Sequence, residues 1–317
     1  MRCIVTGAAG FVGSHLCERL LAEGHEVVGV DNFADYYAAA IKRRNLAGCI
    51  GRPGFTLLED DLLRLDLVRL LEGAHALFHQ AAQAGVRASW GENFRIYTDF
   101  NILSTQRLLE AAKATGLSRF VYASSSSVYG DAAQLPARED ARPQPVSPYG
   151  VSKLAAEHLC YLYWRNFGVH TVSLRYFTVY GERQRPDMAF HRFLRWGAQG
   201  RPIRLYGDGA QSRDFTYVGD IVAANLLALK GSAGAVYNIG GGSRVTVNDC
   251  LAIIERLVQK SLNVQRLETQ KGDVRHTAAD TTRARQELGY EPRVNLEEGL
   301  ARELAWLKES GLLMEEL

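Results

Sequence analysis

The chain has 317 residues, nearly half of them apolar, so it can bury a sizeable core and divides most simply into two domains. Its 37 basic and 35 acidic residues leave a net charge of +2, which gives no reason to expect a nucleic-acid surface. No stretch reaches the ~18 apolar residues of a membrane span, and five cysteines without a C-x-x-C pair read as reduced thiols in a soluble, cytoplasmic protein.

Met1 runs straight into an apolar strand, Cys3–Thr6, so no leader or transit peptide is expected ahead of it. Thr6-Gly7-Ala8-Ala9-Gly10-Phe11-Val12-Gly13 then turns that strand into an amphipathic helix over Val12–Glu23. The three glycines serve different physical ends. Gly7 permits the tight turn, Gly10 lets a pyrophosphate approach the backbone, and Gly13 allows close helix–strand packing. The helix start offers free N–H groups to phosphate. A second strand, Glu26–Val30, leads to Asp31, an acid placed to accept hydrogen bonds from ribose hydroxyls and to repel a 2′-phosphate. That favours NAD over NADP. Lys42, Arg43 and Arg44 follow closely and read either as a solvated charge cluster or as a residual NADP signal. After the third strand, Phe55–Leu58, Asp61 and Leu62 are placed to meet the adenine edge, although Asp60-Asp61 also suits a helix cap.

Strands at Ala76–Phe78, Phe120–Ala123 and Thr171–Arg175 alternate with helical patterns at Asp66–Leu71, Thr105–Thr115 and Tyr149–Phe167. This alternation predicts a Rossmann-type α/β fold, a doubly wound parallel sheet with helices on both faces, in residues 1–176. After Tyr176, arginines, glycines and aromatics crowd into loop-like stretches at 180–188, 206–217 and 271–276. Two helical patterns, Ile221–Lys230 and Val247–Lys260, interrupt them, and a terminal helix is expected over Glu297–Leu317. Residues 177–317 are therefore expected to form a smaller substrate-binding lobe, with room for segments that return to the first domain.

Ser147-Pro148-Tyr149 has the form of a helix start, with Ser147 as N-cap and Pro148 at the first helical position. Tyr149 and Lys153 then share one helical face. A free tyrosine has a pKa near ~10, and a neighbouring ammonium favours the phenolate, so the pair suits proton abstraction from an alcohol. The run Ser124-Ser125-Ser126-Ser127-Val128-Tyr129-Gly130 follows the fifth strand, which puts its hydroxyls at the carboxyl edge of the sheet, where ligands bind in this fold type. The eight histidines show no metal spacing.

Together these segments resemble the extended short-chain dehydrogenase/reductases, specifically the nucleotide-sugar epimerases and dehydratases. The resemblance runs through Thr6–Gly13, Asp31-Asn32, His79-Gln80-Ala81-Ala82, Asn101, the serine run, Tyr149 and Lys153, Arg175–Gly181, Arg213–Asp220 and Gly272–Asp280. It implies NAD held by Gly7, Gly10, Phe11, Val12, Gly13, Asp31, Asn32, Lys42, Asp61, Leu62, Gln80, Ala81, Ala82, Asn101, Ser124, Tyr149, Lys153 and Tyr176. It also implies a UDP- or dTDP-sugar substrate, catalysis by Tyr149 and Lys153 with Ser125 or Ser126 on the reacting oxygen, and a homodimer built from helices at Phe94–Thr115 and Tyr149–Phe167.

Departures from the family pattern narrow the reaction. Decarboxylases and 4,6-dehydratases of the family carry an acid before Val-Tyr-Gly, where this chain has Ser127. UDP-glucose 4-epimerases usually have Asn where this chain has Thr178. Phe177-Thr178-Val179-Tyr180-Gly181 followed by Arg185-Pro186-Asp187-Met188 resembles the UDP-glucuronate 4-epimerases, with Glu182 where proline is common. Ser126, Ser127, Thr178 and Arg185 could grip a sugar carboxylate; Arg185 also reads as a surface arginine that steers the substrate. Arg213 and Arg275 match the family's diphosphate positions, with Arg87 and Arg192 as weaker candidates. The expected activity is NAD-dependent 4-epimerisation of UDP-glucuronate to UDP-galacturonate. The rivals are a 4-epimerase of UDP-glucose or its N-acetyl form, a UDP-glucuronate decarboxylase, and a non-catalytic NAD sensor.

Overall fold

Six strands of the central sheet come from the first 176 residues: β1 (Arg2–Thr6), β2 (Glu26–Asp31), β3 (Phe55–Glu59), β4 (Ala76–His79), β5 (Arg119–Ser125) and β6 (Thr171–Tyr176). The structure, a computed structural model, describes residues 1–132, 134–268, 272 and 274–315. Strand order is β3–β2–β1–β4–β5–β6, and every neighbouring pair is parallel. Side chains alternate between the faces, as the period of two dictates. Cys3, Val5, Phe78 and Val121 pack into one core cluster, whereas Ile4, Leu77, Phe120 and Tyr122 pack into another.

The first cluster is covered by α1 (Phe11–Ala22) through Leu16, Cys17 and Leu20, and by the helix Val218–Leu227 through Ile221, Val222 and Ala224. The second is covered by α3 (Leu67–Leu71), which follows α2 (Ala39–Asn45), by α5 (Ser104–Thr115) and by α6 (Pro148–Phe167). Burying each of these leucines contributes ~1.5–3 kcal/mol. The short helix α4 (Phe94–Tyr97) runs into α5 through a wide helical turn, Thr98–Leu103, so one helical rod covers the expected 94–115. Helix α6 starts as its sequence requires: Ser147 accepts from the Gly150 amide at 3.1 Å, Pro148 occupies the first turn, and Gly168 closes the end at φ +72°.

The expected boundary after Tyr176 is crossed by the chain. A seventh strand, Ala235–Ile239, pairs in parallel with β6, so the sheet borrows it from the second lobe. Residues 218–239 and the helix Thr282–Leu288 belong to the core of the first domain. What remains of the second lobe gathers Phe190, Leu194, Ile254, Leu300 and Leu304 from the helices Ala189–Gln199, Val247–Val258 and Leu296–Glu309. The helix expected over Glu297–Leu317 stops at Glu309, and residues 316 and 317 lie outside the described part. Segments 206–217, expected as loop, contain two short strands, Ser212–Asp214 and Thr216–Tyr217, which pair with Arg244–Thr246 and Val179–Tyr180. Among the described residues no helix is long and apolar enough to cross a membrane.

Candidate active site

A cavity of about 460 Å³ opens at the carboxyl ends of the strands, and both lobes line it. Its floor is the turn between β1 and α1. Gly7 has φ +68°, and a Cβ there would lie 2.7 Å from the Ala81 amide nitrogen, so the turn and the segment that follows β4 approach only because Gly7 has no side chain. A Cβ on Gly13 would land on the Gly7 carbonyl. Gly10 is the N-cap of α1 and brings no side chain to cover the first-turn amides.

Asp31 closes β2 beside this turn and is buried. Its carboxylate accepts the amides of Ala9 (3.0 Å) and Phe33 (2.8 Å), with the Lys42 ammonium 3.9 Å away. Burial raises its pKa against the pull of Lys42 and those amides. The three neighbouring cations separate. Lys42 lines the cavity and donates to the Ala34 carbonyl at 2.8 Å, while Arg43 pairs with Glu59 and Arg44 with Glu315. Asn32 donates to Asp61 at 3.2 Å, and both line the cavity with Leu62. Asp61 also accepts the Leu63 amide at 2.8 Å.

On the opposite wall stand Ser124–Ser127, Tyr149, Lys153 and Tyr176. The Ser125 hydroxyl shares this wall with the Tyr149 phenol and accepts the Ser127 amide at 3.1 Å. Burial pushes the Tyr149 phenol above its ordinary value, and the nearby Ser125 hydroxyl and the charge of Arg185 pull it down. Lys153 stands on the same wall. Its ammonium lies 4.6 Å from the Tyr122 ring centre, and burial lowers its pKa to about 7. Tyr176 is held by Gln80 (3.1 Å) and Asn225 (3.0 Å).

The second lobe supplies Thr178, Val179, Arg185 and Met188 to the same cavity. Arg185 forms a two-bond pair with Asp187, at 2.9 and 3.0 Å.

Several expected residues stand elsewhere. Asn101 does not line the cavity: it sits in the wide turn of the 94–115 rod, accepts the Gln83 amide (2.7 Å) and donates to Ser152 (2.8 Å), so it braces the cavity wall. Ser124 lines the cavity, but its hydroxyl proton goes to Glu157 at 2.6 Å. Arg192 points to the Pro186 carbonyl and the Trp196 ring, outside the lining. Arg87, Arg213 and Arg275 are also outside it. Arg87 stacks on Tyr206 (4.4 Å), Arg213 donates to the Arg275 carbonyl (3.0 Å), and Arg275 pairs with Asp208 (3.3 Å). Asp273, which precedes Arg275 in the family motif, lies outside the described residues.

The sequence reading missed Tyr36, Tyr37 and the backbone of Gln83–Val86, all of which line the cavity. It also missed Glu157, although Glu157 follows Tyr149 and Lys153 at four-residue intervals on one face of α6, which is a legible signal.

Comparison with known proteins agrees with this geometry. Residues 3–240 match the NAD dependent epimerase/dehydratase family. The chain is 39% identical to a UDP-glucuronate 4-epimerase of Thermodesulfobacterium geofontis, over 97% of this chain and 96% of that one. It is 44% identical to a Bacillus subtilis protein named "uncharacterized UDP-glucose epimerase YtcB", over 97% and 98%. The crystal structure of a Bacillus cereus UDP-glucuronic acid 4-epimerase, in complex with UDP-glucuronic acid and NAD, superposes with a TM-score of 0.95 at 42% identity, covering 98% of this chain and 100% of that one. The glycine turn, the seven-stranded parallel sheet and the Ser125–Tyr149 wall are those of a member of the NAD dependent epimerase/dehydratase family, to which this chain belongs.

Proposed function

We propose that the chain binds NAD and inverts C4 of UDP-glucuronate, giving UDP-galacturonate. The observation that carries this is the shared wall: Tyr149 and Ser125 stand in one cavity with Ser126, Ser127, Thr178 and Arg185, which are donors for a carboxylate, and with a serine where an acid would repel it. The glycine turn, the uncovered first-turn amides of α1 and the Asp31 carboxylate fit a dinucleotide. Gly7, Gly10, Phe11, Val12 and Gly13 would hold its pyrophosphate, Asp31 and Asn32 its adenosine ribose, and Lys153 its nicotinamide ribose. NAD, once bound, supplies the acceptor and then the donor for the C4 hydrogen.

Tyr149 takes the proton of the C4 hydroxyl as that carbon is oxidised, with Ser125 and Ser126 hydrogen-bonded to the reacting oxygen. The 4-keto sugar turns about its diphosphate link, which Arg87, Arg213 and Arg275 anchor. It presents its other face, and Tyr149 returns the proton. The intermediate is a β-keto acid and is prone to lose CO2. Ser127, Thr178 and Arg185 hold its carboxylate out of the geometry that favours that loss.

The test is one incubation with UDP-glucuronate followed by NMR. Formation of UDP-galacturonate supports the reading, and a pentose product means decarboxylation. A neutral-sugar 4-epimerase is the second reading, favoured by the name of the Bacillus subtilis relative; turnover of UDP-glucose alone would select it.

The protein acts as a homodimer in this reading. Ile96 and Leu103 on the 94–115 rod and Val151, Leu162 and Phe167 on α6 are large apolar side chains left exposed on neighbouring helices, as a partner surface requires. Its five cysteines are unpaired and buried, which fits a reducing cytoplasm.

A further inference from the structure

Arg185 does not stand alone on the cavity wall. Its Nε and Nη2 atoms are both committed to the Asp187 carboxylate, at 2.9 and 3.0 Å. Among the described residues its Nη1 makes no hydrogen bond, so one edge of the guanidinium is left for a ligand. Asp187 itself is not part of the lining. Its Oδ2 accepts a further bond, from the Tyr36 hydroxyl at 3.1 Å, and the Arg185 guanidinium carbon lies 5.6 Å from the Tyr36 ring centre. Burial alone would raise the Asp187 pKa, but Arg185 and the Tyr36 hydroxyl outweigh it and hold the carboxyl below its ordinary value. The acceptor is thus charged and holds both donors.

Tyr36 belongs to the other lobe. It lies on the loop that follows Asp31, and that loop is tied down bond by bond. Phe33 donates its amide to Asp31 (2.8 Å), Ala34 to Asn32 (3.0 Å), Tyr36 to the Ala34 carbonyl (2.8 Å), and the Lys42 ammonium to that same carbonyl (2.8 Å). The Tyr36 hydroxyl packs over Gly85, where a Cβ would lie 2.5 Å from it. A long, rotamer-rich arginine is thereby held in one orientation by a planar fork whose far side is fixed to the dinucleotide-binding loop. Preorganising it in this way lowers the ordering cost of each bond it then makes.

We propose that Asp187 and Tyr36 are positioning residues that set sugar specificity. They orient the remaining edge of Arg185 toward a carboxylate at C5 of the bound hexose, so that the site selects a uronic acid over a neutral sugar. The proposal rests on the reading of Arg185 as a carboxylate ligand. A neutral hexose offers no anion to that edge, so its binding gains nothing from the arrangement.

The test uses the NAD-loaded full chain and calorimetric titration with UDP-glucuronate, UDP-glucose and UDP. The variants are Tyr36→Phe, which removes one hydroxyl and keeps the ring, and Asp187→Asn, which removes the charge and keeps the size. Each is expected to weaken UDP-glucuronate binding about tenfold and to leave UDP-glucose and UDP within about twofold, the loss expected for a misdirected charge-assisted bond. Equal losses for all three ligands would mean that the two residues only support the fold, and would overturn the proposal. Tighter UDP-glucuronate binding in Asp187→Asn would mean that Asp187 merely neutralises Arg185, and would also overturn it. A wild-type protein that binds UDP-glucose as well as UDP-glucuronate removes the uronic-acid reading itself, and this is seen before any variant is made.

Discussion

Ser124 donates its hydroxyl proton to the Glu157 carboxylate at 2.6 Å, and that carboxylate also takes two bonds from Arg175, at 2.6 and 3.0 Å, with all three side chains buried. A carboxylate and a guanidinium so far from water are sustained by each other and by these bonds. Arg175 passes one more bond to the Tyr129 hydroxyl (2.7 Å), so the serine run is fixed from behind by α6 and β6. Glu157→Gln leaves the Arg175 charge uncompensated and should cost about 3–5 kcal/mol of stability. Urea unfolding monitored by circular dichroism measures this. A loss within experimental error of zero would show that the network does not support the wall.

Thr178 faces the same cavity as Tyr149 and Ser127. If its hydroxyl helps to hold the sugar carboxylate, Thr178→Ala should release CO2 faster relative to epimerisation, by up to about tenfold. Counting labelled CO2 against UDP-galacturonate gives the ratio. An unchanged ratio would remove Thr178 from that role.

Stability should fall in mild acid. His79 is wholly buried between the hydroxyls of Thr6 (2.7 Å) and Thr105 (2.9 Å), and burial, helped by the Lys153 charge, lowers its pKa to about 3. An unfolded histidine titrates near ~6.5. Between those values the unfolded chain binds a proton that the folded chain does not, so stability drops as pH falls through that window. His15 and His191, lowered by burial to about 4, act in the same direction. His79→Gln should therefore flatten the fall in urea midpoint between roughly pH 7 and pH 5 without abolishing it. The same slope in the variant would contradict the assignment.

The apolar surface of the 94–115 rod and α6 predicts a dimer. Leu103→Glu combined with Val151→Glu buries like charges in such an interface and should give a monomer by light scattering, with the wild type at twice its mass. A monomeric wild type would show that these side chains have no partner copy.

Much of this was legible because local chemistry and global fold agree. The glycine turn, Asp31 at the end of β2, and Ser147-Pro148 before Tyr149 each state their conformation within a few residues, and each lies where the sequence placed it. The strand Ala235–Ile239 was not legible. Nothing local says that it leaves the second lobe to pair with β6, since that pairing depends on contacts far apart in the chain. Asn101 illustrates a different limit: its residue type fits a ligand contact, but only the fold reveals that its amide is spent on Gln83 and Ser152. The Tyr36–Asp187 bond joins residues 151 positions apart, and no periodicity records it.

In the proposed reaction the hydrogen removed from C4 returns to the same carbon, with Tyr149 moving only the hydroxyl proton. UDP-glucuronate carrying deuterium at C4 tests it in one NMR measurement. The expected product is UDP-galacturonate that retains the deuterium at C4. Product with protium at C4, washed in from solvent, would contradict it.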